Sequence, residues 1–255
     1  MKNVLATSNR AVLEQFACST TLLAFDYDGT LAPIVDDPAQ ARMRNETREL
    51  VCQLSKLFRV IVISGRAQTD VLKRVRGMGV LEVIGNHGIE PWNSSNRFIA
   101  RVQQWCPLLE RRLAMFDGVV LEDKLFSLAV HYRGARDKLA AHAAILSAAA
   151  ELDSARIVGG KQVVNIIPDN APHKGTTLMR ELARLHCDKV IYVGDDETDE
   201  DVFALRQPET LLSIRVGAKR ASAAAYFVPN QAAVDELLYA LCELRARTAP
   251  DQGVA

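Results

Sequence analysis

The sequence carries no surplus of charge: 31 lysines and arginines are matched by 31 aspartates and glutamates over 255 residues. A chain with no net charge has no overall pull toward nucleic acid or an anionic membrane surface, so neither is an expected partner. Cysteines are few and scattered. Cys18, Cys52, Cys106, Cys187 and Cys242 are odd in number and never form a Cys-x-x-Cys pair. That pattern argues against a disulfide framework or a zinc knuckle and for reduced thiols. Long apolar runs are missing as well. No stretch approaches the roughly 20 apolar residues of a membrane span, and the first residues hold no apolar core ahead of a small-residue cleavage site. The expectation is a soluble, cytoplasmic monomer.

What is present is a regular alternation. "TLLAFD" (21–26) reads as a buried strand, "NETRELVCQLSKLF" (45–58) as an amphipathic helix and "RVIVIS" (59–64) as a second buried strand. "AQTDVLKRVR" (67–76) is a helix and "VLEVIG" (80–85) a third strand. After residue 171 the alternation resumes: helix 174–186, strand 189–194, helix 198–206, strand 211–217, helix 231–247. Asn45 and Thr198 stand where helices should begin. Continuous apolar strands separated by helices predict an α/β fold, a Rossmann-like parallel sheet with helices on both faces.

Between these halves the pattern changes. A helix (100–116) is followed by two strands close in sequence, 119–123 and 126–133; a second helix (136–152) leads to another close pair, 155–160 and 161–168. The short turns favour antiparallel pairing. In "FSLAVHYR", Phe126, Leu128, Val130 and Tyr132 fall on one face, with Ser127, Ala129, His131 and Arg133 on the other. This segment is expected to be an inserted α+β cap of two helix–strand–strand repeats. Residues 97–171 would form it, and 1–96 and 172–255 the core, with connectors stiffened by Pro91, Pro168 and Pro172.

In open parallel sheets ligands bind just beyond the carboxyl ends of the strands. Asp26 and Asp28 follow the first strand, Ser64-Gly65-Arg66 the second, and "GDDETDED" (194–201) the strand "KVIYV", while Lys174 opens the helix before it. Asp26-x-Asp28 does not begin a calcium loop, because Thr30 and Leu31 stand where an acidic or amide residue and a glycine would be needed. Taken together, the carboxylates, hydroxyl and lysine suit phosphoryl transfer through an aspartyl-phosphate. One carboxylate attacks phosphorus, Mg²⁺ and lysine spread the developing charge, and a second carboxylate moves the proton.

These segments, "DYDGTL", "VISGR", "HKGTTL" and "GDDETDED", resemble in order and spacing the four motifs of the haloacid-dehalogenase-like phosphohydrolases. The finer pattern, "DYDGTLAPI", "SGR", "GNHGIE", "HYR" and "GDDxTDEDxF", is similar to that of the trehalose-6-phosphate phosphatases among them. The resemblance implies that Asp26 is the nucleophile and Asp28 the general acid and base. It implies that Asp26, the backbone carbonyl of Asp28 and Asp195 bind Mg²⁺, with Asp196 or Asp199 completing or orienting the shell. Ser64, Gly65 and Lys174 would hold the phosphate, and Thr30 would support the loop. Arg66, Asn86 and His87, and from the cap Glu122, Lys124, His131 and Arg133, would read a small-molecule sugar phosphate.

One position departs from that family. Where its pattern carries Glu, this chain has Asn165 in "VVNIIP". A neutral amide offers an acceptor and a donor in place of a charged acceptor. The phosphatase chemistry is untouched, but another glucosyl or disaccharide phosphate stays open as substrate beside trehalose 6-phosphate. So do a non-catalytic sugar-phosphate sensor, against which no catalytic position is substituted, and a phosphotransferase.

Overall fold

The computed structural model describes residues 1–35 and 37–248. Its first half contains β1 (Lys2–Asn3), α1 (Arg10–Ala17), β2 (Thr21–Phe25), α2 (Asn45–Leu57), β3 (Arg59–Ile63), α3 (Gln68–Arg74) and β4 (Glu82–Ile84). The inserted segment supplies α4 (Asn96–Leu113), β5 (Val120–Asp123), β6 (Leu128–His131), α5 (Lys138–Ala149), β7 (Ala155–Gly160) and β8 (Val163–Pro168). The chain then returns through α6 (Lys174–Arg184), β9 (Lys189–Gly194), α7 (Glu200–Phe203), β10 (Leu211–Val216), β11 (Tyr226–Val228) and α8 (Ala233–Thr248).

The core sheet runs β1-β11-β10-β9-β2-β3-β4 with every pair parallel. Successive residues of β2 enter opposite layers, as a pleated strand requires. Leu23 and Phe25 pack with Leu13 and Phe16 of α1, Val51 and Leu54 of α2 and Leu237 and Leu241 of α8. Leu22 and Ala24 pack with Leu178 and Leu182 of α6 and with Val202 and Phe203 of α7. Both faces of β2 are therefore buried, which is why its sequence is apolar without alternation. Among the described residues no helix is long and apolar enough to cross a membrane.

The α/β reading and the cap with its own antiparallel sheet, ordered β5-β6-β8-β7, are both found. Leu128 and Val130 of β6 join Trp105, Leu109, Ile145 and Val164 beneath α4 and α5. Phe126 does not share that face: residues 124–127 form a turn with Leu125 at φ 72°, and Phe126 packs instead with Ile89, Phe98 and Ile167. Other local expectations are corrected too. Asn45 is the first residue of α2 rather than its cap. The helix expected from Thr198 is a single 3₁₀ turn, Glu197–Asp199, followed by the short α7, and its cap is a reciprocal pair between Asp196 and Asp199. The strands β1 and β11, at one side of the sheet, are too short to show a period.

The loop after β2 is anchored from the far end of the chain. Gln231, just before α8, donates from Nε2 to the carbonyls of Thr30 (3.0 Å) and Leu31 (3.4 Å). Gln231 is held by Arg44, and Arg44 (2.7 Å) and Thr47 Oγ1 (2.6 Å) both donate to Asp235 on α8. Asp235→Ala strips the acceptor from a buried hydroxyl and the partner from a half-exposed arginine, so it should cost about 1–3 kcal/mol. Urea unfolding checks this: the midpoint should fall while the slope is unchanged.

Candidate active site

Strand order brings the chemistry together. β2 lies between β9 and β3, with Phe25 paired to Val193 on one side and Val62 on the other. The residues that leave these strands are consequently neighbours: Asp26 from β2, Ser64 from β3 and Asp195 from β9. Asp26 extends the ladder by donating its N–H to the Val193 carbonyl (2.9 Å), and Ser64 does the same to Ile84 (2.9 Å). Lys174, the first residue of α6, enters from the side.

Lys174 is 1% exposed, and its ammonium stands 3.0 Å from Asp26 Oδ1 and 2.7 Å from Asp199 Oδ1. Asp199 also accepts from the Tyr192 hydroxyl (2.6 Å) and, on its other oxygen, from the backbone N–H groups of Asp195 (2.8 Å) and Asp196 (2.9 Å). Burial alone would lower the Lys174 pKa, but the two carboxylates outweigh it and hold the ammonium charged. Burial likewise acts to raise Asp199, yet Lys174 and the donors around it bring it below the usual carboxylate range.

Asp26 has no such excess of donors. Burial pushes its pKa well up against the pull of Lys174, with the charges of Asp199 and Asp195 adding to the rise. Asp195 is raised to about 7, by burial first and then by Asp199. Oxygens of Asp26, Asp195 and Asp199 lie within 4.8 Å of one another. Asp195 Oδ1 is buried with no hydrogen-bond partner. Buried carboxylate in excess of buried cation, with an orphaned oxygen on one member of the cluster, suits a hard divalent cation that takes oxygen ligands. The donors present therefore fit Mg²⁺. Asp196 lies outside the cluster, its side chain accepting from the Asp199 N–H.

The carboxylate of Asp28 is turned to Arg66, which grips it with two hydrogen bonds, Nε to Oδ2 at 2.6 Å and Nη2 to Oδ1 at 2.7 Å. Arg66 also pairs with Asp70 (2.8 Å). Between the two aspartates Tyr27 is buried, and Gly29 turns the chain at φ 78°. A Cβ on Gly29 would stand 2.0 Å from Asp195 Oδ2, so the approach of the two loops requires glycine there. Thr30 is fully buried, its hydroxyl unpartnered, and supports the loop only through its carbonyl.

The polar face of the cap looks down on this edge across a cavity of about 1140 Å³. Asp26, Asp28, Ser64, Gly65, Arg66, His87, Glu122, Lys124, His131, Arg133, Asn165, Lys174, Asp195 and Asp196 all line it. Glu122 accepts from His131 Nε2 (2.7 Å), which draws its pKa down. Lys124 is partly buried, its side chain 12% exposed; its ammonium lies 3.9 Å from Glu122 and donates to the Gly65 carbonyl (3.2 Å). Burial lowers its pKa. Arg133 donates to the Val35 carbonyl (2.6 Å). His87 is buried beside Gly65, and neither ring nitrogen has a hydrogen-bond partner. Its pKa lies well below the usual value, through burial first and then the charges of Lys124 and Lys174. Asn165, which also lines the cavity, opposes that shift.

Asn86 is placed otherwise than a ligand reader would be. Its amide donates to Glu90 Oε2 (2.7 Å) and the Lys124 carbonyl (3.1 Å) and accepts from Ser127 Oγ (2.8 Å). It ties core to cap, and it does not line the cavity. Three further residues escaped the sequence reading. Tyr192 orients Asp199, Arg215 donates to the backbone carbonyls of Asp195 and Asp196, and Lys161 of the β7–β8 turn pairs with Asp195. Arg215 does leave a trace, a charge inside the apolar run "LLSIRV".

Asp199 organises more of the site than any other side chain. Asp199→Ala should cost about 3–5 kcal/mol, because it leaves a buried ammonium, a buried hydroxyl and two backbone donors short of an acceptor. Chemical denaturation measures this, and a loss under about 1 kcal/mol would contradict the assignment.

Residues 24–232 match the family model described as trehalose-phosphatase. A trehalose-phosphate phosphatase from Mycolicibacterium paratuberculosis is 38% identical over 70% of this chain and 49% of its own length. One from Mycobacterium marinum is 34% identical over 83% of this chain and 59% of its own. The chain thus spans about half the length of these curated relatives. The C-terminal domain of Candida albicans trehalose-6-phosphate phosphatase shares the fold, with a TM-score of 0.81 at 23% identity over 92% of this chain and 98% of that one. The chain belongs to the trehalose-phosphatase family.

Proposed function

We propose that the chain is a phosphatase that hydrolyses trehalose 6-phosphate to trehalose and phosphate by way of a phosphorylated Asp26. The seat of Asp26 carries this reading. One oxygen of its buried carboxylate is fixed by Lys174 at 3.0 Å, and the other meets no hydrogen-bond donor among the described residues. An oriented carboxylate with one unencumbered oxygen at the floor of a cavity is equipped to attack phosphorus. Membership of the family supports trehalose 6-phosphate as the substrate.

In the first step an Asp26 oxygen bonds to phosphorus as the bond to the sugar oxygen breaks. The Lys174 ammonium, the Ser64 hydroxyl and the Gly65 N–H would take up the charge on the phosphoryl oxygens. Asp28, protonated and released from one of its Arg66 hydrogen bonds, would give its proton to the departing sugar oxygen. In the second step the Asp28 carboxylate takes a proton from water as that oxygen attacks phosphorus, and the bond to Asp26 breaks. Mg²⁺, held by Asp26, Asp195 and the Asp28 carbonyl with Asp199 orienting the shell, would supply positive charge against the phosphate when bound.

Residues 97–171 act in this reading as the cap that reads the sugar. Its polar face offers a carboxylate (Glu122), an ammonium (Lys124), an imidazole (His131) and an amide (Asn165), a set suited to hydroxyl groups. Excluding water while the sugar is held would strengthen every charged contact on the floor.

Phosphate release with Mg²⁺ should be fastest from trehalose 6-phosphate when compared with glucose 6-phosphate, sucrose 6-phosphate and glucosylglycerol phosphate. Preference for another member of the panel would keep the chemistry and change the substrate. Asp26→Asn should remove more than about a thousandfold of the turnover while the circular dichroism spectrum is unchanged. Glu122→Ala should lower kcat/KM for the sugar phosphate by roughly ten- to a hundredfold, as loss of a charged hydrogen-bond partner does, and leave a small aryl phosphate nearly unaffected. Equal losses on both substrates would show that Glu122 does not read the sugar.

A further inference from the structure

The tip of the β7–β8 hairpin rests directly on the acidic loop that follows β9. A Cβ on Gly159 would stand 2.2 Å from Glu197 Oε2, and one on Gly160 would stand 2.9 Å from an Asp196 carboxylate oxygen. Two successive glycines let the loop acids come up against bare backbone. The next residue, Lys161, places its ammonium on Asp195 Oδ2. The two partners are unequally buried: the Asp195 side chain is 1% exposed, that of Lys161 53%. An exposed cation from the cap has reached a buried carboxylate of the core.

The distribution of counter-charge gives this contact its meaning. Lys174 stands against Asp26 and Asp199, but no ion pair joins it to Asp195. Among the described residues Lys161 is the only cation whose ion pair reaches Asp195, and the other Asp195 oxygen has no partner at all. Arg215 contributes only to the backbone carbonyl there. The carboxylate best suited to take a divalent cation is thus the one whose counter-ion arrives from outside the core.

We propose that Lys161 is an internal competitor for the divalent cation at Asp195, and that it latches the free end of the cap to the core when the metal is absent. The inference rests on the reading of Asp195 as a metal ligand. A cation seated on Asp195 repels the ammonium and takes over its charge compensation, so metal uptake and release of the hairpin tip are one exchange. Lys161 lines the cavity. Once displaced, its ammonium is available to an anionic ligand there, and the metal would prepare the cap for a phosphate as well as the floor.

Mg²⁺ binding to the substrate-free protein, followed by calorimetry, tests the exchange. Lys161→Gln should bind Mg²⁺ tighter than the wild type by roughly three- to tenfold, the ratio expected from removing one half-exposed ion pair. Lys161→Arg keeps the competitor and should bind as the wild type does. Lys138→Gln removes a charge from the rim of the same cavity without touching Asp195, and should change affinity by less than about twofold. Amide hydrogen exchange at residues 159–163 should accelerate on adding Mg²⁺ to the wild type, and should already be fast in metal-free Lys161→Gln. Unchanged or weaker Mg²⁺ binding by Lys161→Gln would overturn the proposal, as would equal tightening in Lys138→Gln. If neither wild type nor Lys161→Gln takes up Mg²⁺, the metal reading itself has failed, a result separate from equal binding by both.

Discussion

A lysine ammonium with almost no contact with water, between two carboxylates, is the constraint on which the rest of the site depends. Lys174 begins a helix, the end at which the helix dipole disfavours positive charge. Burial disfavours it further. Asp26 and Asp199 reverse both effects, but only if each is itself fixed. For Asp26 the fixing is done by the ladder of β2 with β9. For Asp199 it is done by the Tyr192 hydroxyl and two backbone N–H groups of its own turn. The central place of β2 in the sheet and the tight turn after β9 are in this sense requirements of one buried charge.

The same accounting of charge separates the roles of the acids. Asp199 is saturated with donors and stays ionised, so it suits holding Lys174 and orienting the loop. Asp26 and Asp195 have few donors and are driven upward by burial and by the charge of Asp199. These two can gain most from an added cation. Asp28 is set apart by its two hydrogen bonds to Arg66, away from the cluster. Four carboxylates gathered at one edge of the sheet are thus distinguished by their surroundings and not by residue type.

Most of this was legible where function depends on position along one strand or one turn. Asp26, Ser64 and Asp195 come directly after apolar strands, and a parallel sheet necessarily gathers the residues beyond its strand ends at one edge. Lys174 was readable because it opens a helix at that edge. What the sequence did not place depends on partners from distant segments. Asn86 sits in a loop like a ligand-binding residue, yet its amide is taken up by Glu90, Ser127 and the Lys124 backbone, contacts that no local pattern encodes. Tyr192 looks like one more apolar strand residue until Asp199 folds back onto it. Lys161 looks like a hairpin lysine until the cap is set on the core. Phe126 fails for a local reason, because a turn interrupts the alternation two residues before β6 begins.

The ends of the cap sheet are not equivalent. The β5–β6 turn is bonded to Asn86, and both connections to the core leave from that side, next to the Pro168 end of β8. The β7–β8 turn with Lys161 lies at the opposite end, about 20 Å away for strands of this length. The sheet therefore has the proportions of a lever with its fulcrum near Asn86. A tilt of only about 10° about that point would carry the Lys161 tip through ~3 Å, enough to part it from Asp195, while side chains near the fulcrum scarcely move. Small angular freedom at one end is amplified into full engagement or full release at the other.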